Sequence, residues 1–140
     1  MPTSDIDPQL TRTLDHASSE LMARIRQAIR DFYASPPQDL ASWEAWRTPK
    51  PWETRVLPNL ERSHGELQEA RRVHAATGDI KPITLAASGY AGLSKDLEFD
   101  MRWMTAPDRE AVEEAMRQVV SVADRIHRLG YDALARTGLV

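Results

Sequence analysis

The sequence of 140 residues contains no cysteine, which excludes disulfide bonds, thiolate metal sites and cysteine nucleophiles. It has no apolar run longer than about four residues, so no segment can cross a bilayer as a helix. The first ten residues contain no basic region followed by an apolar stretch, and therefore show no secretory signal. Together these absences predict a cytoplasmic protein that does not enter the membrane.

The chain also has no excess of basic residues, since its formal net charge is −3. This balance argues against the basic surface on which nucleic-acid binding depends. Fifteen arginines stand against three lysines, a bias typical of a GC-rich genome, and we expect a bacterial or phage source. The length fits one domain, residues 1–140. Only 28 residues are Leu, Ile, Val or Phe, so we expect a folded domain with a thin, alanine-rich core.

Three long amphipathic helices are predicted between the nine prolines. The first runs from about Asp7 to Tyr33, with Asp5 or Asp7 as its cap and Pro8 in its first turn. Its apolar residues recur every three or four positions: Leu10, Leu14, Ala17, Leu21, Ile25, Ala28 and Phe32.

The second helix is predicted from Trp52 or Asn59 to Ala76, with Gly78 as its stop signal. Gly65 lies in its middle, where glycine costs about 1 kcal/mol relative to alanine, and indicates a close contact with another helix. The third long helix begins after Thr105, and Gly130 either ends or interrupts it.

Residues 36–58 are predicted to be irregular, with a short helix at Trp43 and Trp46 and an extended connection from Thr48 to Trp52. Three of the four tryptophans fall in this region. Two interpretations are open. The rings fill one end of the helical bundle, or they form an exposed aromatic surface for a partner.

Two segments alternate between apolar and polar residues with the period of a strand, 83–88 and 97–104. A loop containing Gly89 and Gly92 joins them, and Tyr90 and Leu93 lie in that loop. The predicted fold is therefore α+β and mostly helical, in the order α-(short α)-α-β-β-α, with three long helices and one antiparallel β-hairpin. An exposed edge at 97–104, centred on Asp100, would invite pairing with a partner or a second copy.

Two tetrapeptides, Glu61-x-x-His64 and Asp124-x-x-His127, place a carboxylate and an imidazole on one helix face. Such pairs build metal sites in four-helix bundles, and Asp15, His16 or Glu20 could add a ligand from the first helix. A four-helix site needs a further helix, however, and such tetrapeptides are common by chance. We predict no metal and no cofactor, with His64 and His74 at the edge of the core and His16 and His127 on the surface.

No catalytic motif stands out, since the chain has neither a G-x-S-x-G element nor a thiol. The sequence predicts a non-catalytic protein-interaction or assembly module of a bacterial or phage system, which acts as an oligomer or within a larger assembly. The alternative is a small enzyme or ligand-binding protein with a metal or small-molecule pocket between helices and hairpin. The residues predicted to contact a partner are Trp43, Trp46, Trp52, Tyr90, Leu93 and Asp100. The residues predicted to be buried are Leu21, Ile25, Leu60, Leu67, Phe99, Trp103, Val119 and Ile126.

Overall fold

The computed structural model describes residues 6–34, 48–90 and 101–138, and the secondary structure in these ranges is helical. The α-helices are α1 (Pro8–Ala34), α2 (Leu57–Thr77), α3 (Lys81–Gly89) and α4 (Ala106–Arg136). A π-helical segment, Trp52–Val56, leads directly into α2. Within these ranges 87% of the residues are helical and none lies in a strand, so the predicted α+β class is wrong for the described part of the chain.

Helix α1 confirms the first predicted helix. The Asp7 carboxylate accepts the N–H of Gln9 at 2.9 Å, which satisfies one of the free donors at the helix start. Pro8 occupies the first helical position, where no N–H is needed. Leu14, Leu21 and Ile25 are completely buried, and this face packs against α2 and α4.

Helix α2 follows the predicted range, but the chain becomes helical earlier than expected. The predicted extended connection from Thr48 to Trp52 is helical from Lys50 onwards, and the N–H of Glu53 donates to the Pro49 carbonyl at 2.9 Å. The wider π turn ends just before Pro58, whose missing N–H interrupts the helical hydrogen bonds. Gly78 ends α2 as predicted, with a φ of 76° and its N–H donating to His74.

Helix α3 covers the segment 83–88, which was predicted to be the first strand of the hairpin. Ile83, Ala86, Ala87 and Tyr90 are buried, which is the i, i+3, i+4, i+7 pattern of a helix, whereas Leu85 is exposed. The same short segment also alternates, and a run of this length satisfies both periods. The second predicted strand is a turn over residues 101–104, where the Met104 N–H donates to the Met101 carbonyl. Its first half, residues 97–100 with Phe99 and Asp100, lies outside the described residues.

Helix α4 begins at the predicted cap, because the Thr105 hydroxyl accepts the N–H of Asp108 at 3.3 Å. It continues through Gly130 without interruption. A Cβ built at Gly130 would overlap the hydroxyl of Thr84 and lie 2.9 Å from its Cβ. The missing side chain therefore lets α3 and α4 approach closely. Gly65 has no such role, since a Cβ there would meet nothing within 4 Å, and the close contact predicted for it is wrong.

The core lies between the apolar faces of the four helices. Seven of the eight predicted core residues are buried: Leu21, Ile25, Leu60, Leu67, Trp103, Val119 and Ile126. Aromatic rings extend this core on one side. The ring of Trp103 meets Trp52 at 6.1 Å and Phe32 at 6.0 Å between centroids, both in edge-to-face geometry.

Candidate functional site

A chain of polar side chains crosses the junction of α1, α2 and α3. His64 of α2 lies 3.3 Å from the Asp15 carboxylate through Nε2 and 3.2 Å from the Ser18 hydroxyl through Nδ1. The hydroxyls of Ser18 and Tyr90 are 2.8 Å apart. Arg71, two turns along α2 from His64, forms an ion pair with the other oxygen of Asp15. The network thus ties three helices together through side chains far apart in sequence.

The order carboxylate, imidazole, hydroxyl is also that of a catalytic triad. A nucleophilic hydroxyl must be reachable by a substrate, however, and Ser18 is 0% exposed. The far side of its hydroxyl is occupied by Tyr90, which is itself 0% exposed. In this arrangement the network satisfies buried polar groups and fixes the relative positions of the helices.

Burial, above all, raises the pKa of Tyr90 to about 12, and the charges of Asp15 and Glu66 act in the same direction. The hydrogen bond with Ser18 opposes this shift of the pKa. Because the unfolded phenol titrates near 10, the unfolded chain loses its proton first as the pH rises. The folded state therefore loses stability between about pH 10 and pH 12.

We expect this alkaline loss to be on the order of 2 kcal/mol and to be reduced in Tyr90→Phe, which has no phenolic proton. The measurement is urea unfolding of parent and variant at pH 9, 10 and 11. Tyr131→Phe is the control, since Tyr131 is exposed on α4, and it should retain the decline. Equal slopes in the parent and Tyr90→Phe would contradict the assignment to Tyr90.

The histidines differ in how far they are buried. His64 is partly buried with hydrogen-bond partners, as predicted, and His16 is exposed. His127 is half-buried, and its ring lies 6.3 Å from that of Tyr131. Asp15 does approach His64, whereas Glu61 and Asp124 form ion pairs with arginines. Across residues 6–34, 48–90 and 101–138, no three His, Asp or Glu side chains converge as a metal site requires.

A carboxylate pair joins the end of α1 to the start of α4. Burial, followed by a hydrogen bond with Asp31, raises the pKa of Asp108. The same hydrogen bond lowers the pKa of Asp31. The pair therefore holds one proton more tightly than an isolated aspartate would. Neither residue lines a groove beside α3.

Helix α3 is flanked by a groove on each side. The α2–α3 groove is largely open to solvent and has a volume of about 590 Å³, and the smaller α3–α4 groove has a volume of about 270 Å³. Leu85, which is 62% exposed, stands on α3 at the edge of the α2–α3 groove. That groove is lined by Arg62, Gly65, Glu66, Glu69, Pro82, Leu85 and neighbouring apolar residues of α2 and α3. The α3–α4 groove is lined in part by Ser88, Val120, Asp124 and His127.

Two of the predicted partner-binding residues are in the core. Trp52 and Tyr90 are both 0% exposed, so neither ring is offered to a partner in this conformation. For Trp52 the structure favours the first interpretation, a ring that fills the bundle. Trp43, Trp46, Leu93 and Asp100 lie outside the described residues. A strand at 83–88 would place Leu85 on the same face as Ile83, so nothing in the sequence indicated that Leu85 is exposed.

The chain was compared with protein-family models, with curated proteins and with solved structures. None of the three comparisons found a match. No helix in the described ranges has both the length and the apolar character needed to cross a membrane. What the protein does must therefore be argued from its own surface.

Proposed function

We propose that the protein is a non-catalytic protein-binding module whose docking surface is the exposed side of α3 together with the α2–α3 groove. The observation that carries this proposal is Leu85, a large apolar side chain that is 62% exposed at the mouth of an open groove. Three large hydrophobic residues of the described chain are more than half exposed, and among them Leu85 alone lines that groove.

The composition of the groove fits a protein partner. Ala70, Val73 and Ala86 contribute apolar wall, while Arg62 and Glu66 contribute polar groups. An apolar centre with a polar rim is the usual anatomy of a protein interface. Grooves between helices commonly accept an apolar side chain from a partner helix, and the volume here suits such an anchor.

The polar network supports a binding role over a catalytic one. The hydroxyl on the imidazole nitrogen opposite Asp15 belongs to Ser18, which is buried. The exposed Ser19 hydroxyl lies 3.4 Å from Nε2, the nitrogen that already faces Asp15, and so does not complete a triad. The pocket of the alternative hypothesis was expected between helices and a hairpin, and residues 83–88 form α3 instead. We propose that the module works in the cytoplasm of a bacterium or in a phage system, as an oligomer or as part of a larger assembly. The absence of cysteine and the arginine bias support this setting.

Site-specific photo-cross-linking tests the docking surface. A photoreactive phenylalanine analogue at position 85 should give an adduct of defined mass in cells producing the protein. The same analogue at position 33, also exposed, should not give it. Filling the groove by Gly65→Leu should abolish the adduct, because the partner side chain loses its space. Identical adducts from both positions, no adduct from position 85, or an adduct unaffected by Gly65→Leu would contradict the proposal.

A further inference from the structure

We infer that the partner at the α2–α3 groove is a second copy of this chain, joined by a twofold axis. In this arrangement Leu85 of each protomer enters the groove of the other beside Gly65. The inference rests on the proposed function and names the partner of that same surface.

The first observation is that no group of its own chain occupies the space beside Gly65. Glycine in the interior of a helix weakens that helix relative to alanine. At Gly130 this weakness has a local reason, since Thr84 occupies the space of a side chain. At Gly65 a Cβ would meet nothing within 4 Å, although the residue lines the groove. The open space at Gly65 is therefore available to a group from another molecule.

The second observation is that the projecting side chain and the cavity lie on one surface. Leu85 and Gly65 line the same groove from opposite helices. A twofold interface uses one patch on both protomers, so that patch must contain a projection as well as the cavity that receives it. A surface for an unrelated partner needs only the cavity.

The charges at the groove are also compatible with self-association. Glu69 forms an ion pair with Arg72 in its own helix. Arg62 and Glu66 then contribute one positive and one negative charge to the groove lining. A groove of one sign would repel its own copy, whereas this pair allows opposite charges to face each other across the axis.

Sedimentation equilibrium of the purified chain and two variants tests the inference. Leu85→Ala removes the projection, and Gly65→Leu fills the cavity. The parent should form dimers, and each variant should raise the dimer dissociation constant by at least about tenfold, as the loss of a central apolar anchor does.

Mixing the two variants gives a sharper test. In the mixed dimer the intact Leu85 of the Gly65→Leu chain meets the open groove of the Leu85→Ala chain. One of the two contacts is thereby restored, while each variant alone has none. The mixture should therefore associate more tightly than either variant by itself.

Two control variants make comparable changes away from the groove. Gln68→Leu adds a leucine to an exposed position of α2, and Tyr33→Ala removes an exposed ring from α1. Both should dimerise like the parent. Circular dichroism and thermal melting should show that all four variants fold, since every substituted residue is exposed.

The inference is overturned by a parent that stays monomeric at millimolar concentration, by a dimer that neither groove variant weakens, or by a mixture no tighter than its components. The proposed function survives each of these results if the adduct at position 85 contains a different protein and is lost in Gly65→Leu. It fails together with the inference if position 85 gives no adduct.

Discussion

Trp52→Ala is expected to lower the free energy of unfolding by about 3–5 kcal/mol, the usual cost of removing a buried tryptophan. Trp52 is 0% exposed and its ring packs edge-to-face on Trp103. The wall of the cavity left behind would include Trp103, which also supports Phe32. Because whole domains have only about 5–15 kcal/mol of stability, a loss of this size should be plain in urea or thermal unfolding.

Tyr33→Ala is the matched control for this prediction. Tyr33 is also aromatic and its ring lies 5.3 Å from that of Phe32, but it is 56% exposed. Its hydroxyl donates to Glu53 at 2.8 Å in an exposed setting, so its loss should cost no more than about 1 kcal/mol. Similar losses in the two variants would show that Trp52 is not a core residue and would return it to the role of a partner contact.

Gly130→Ala should also destabilise the protein, by about 1–3 kcal/mol, even though alanine is the better helix former. The new methyl group would overlap Thr84, and α3 and α4 would have to move apart to admit it. Chemical denaturation of the variant measures the effect. A double variant, Thr84→Gly with Gly130→Ala, should lose less stability than the sum of the single changes, because the clash is then absent.

Gly65→Ala should change stability in the opposite direction. This position is also within a helix, but nothing lies within 4 Å of the added Cβ, so only the gain in helix propensity of about 1 kcal/mol remains. Two substitutions of the same kind thus differ in sign because of their surroundings. If both variants gained stability, the close approach of α3 and α4 at Gly130 would be contradicted.

The three long helices could be predicted because the apolar pattern of each repeats over many turns. Helix α1 has a capping aspartate and an apolar residue every three or four positions, and α4 begins at a threonine whose hydroxyl caps it. Such local signals do not depend on the rest of the fold. Residues buried on these helices, such as Leu21, Leu67 and Val119, were accordingly predicted correctly.

Helix α3 could not be predicted in the same way. Nine residues give too few repeats to separate a period of two from one of 3.6, and the β-branched Ile83 and Thr84 by themselves favour a strand. What decides the outcome is packing on α2 and α4, which bury Ile83 and Ala87 and leave Leu85 outside. The error about α3 also hid Leu85 and the groove beside it.

The polar network could not be predicted from the sequence for a different reason. Asp15 and His64 were both considered as metal ligands, yet nothing in the sequence indicates that Tyr90 lies against Ser18, 72 positions away. Contacts of this range depend on how the helices are placed. The number of histidines and acids in the chain limits the chemistry, but only the fold decides which of them meet.

The contacts that hold α3 in place have a consequence for the rate and entropy of the proposed docking. An isolated helix of nine residues would be mostly unfolded in water. Here Thr84, in the middle of α3, packs closely against Gly130, and Tyr90, just past the end of α3, is hydrogen-bonded to Ser18. The short helix is thus ordered before anything arrives, and Leu85 is already held in place. A docking partner would leave little backbone to order, so association at this surface should resemble the docking of two rigid bodies, with a small loss of conformational entropy and no preceding folding step.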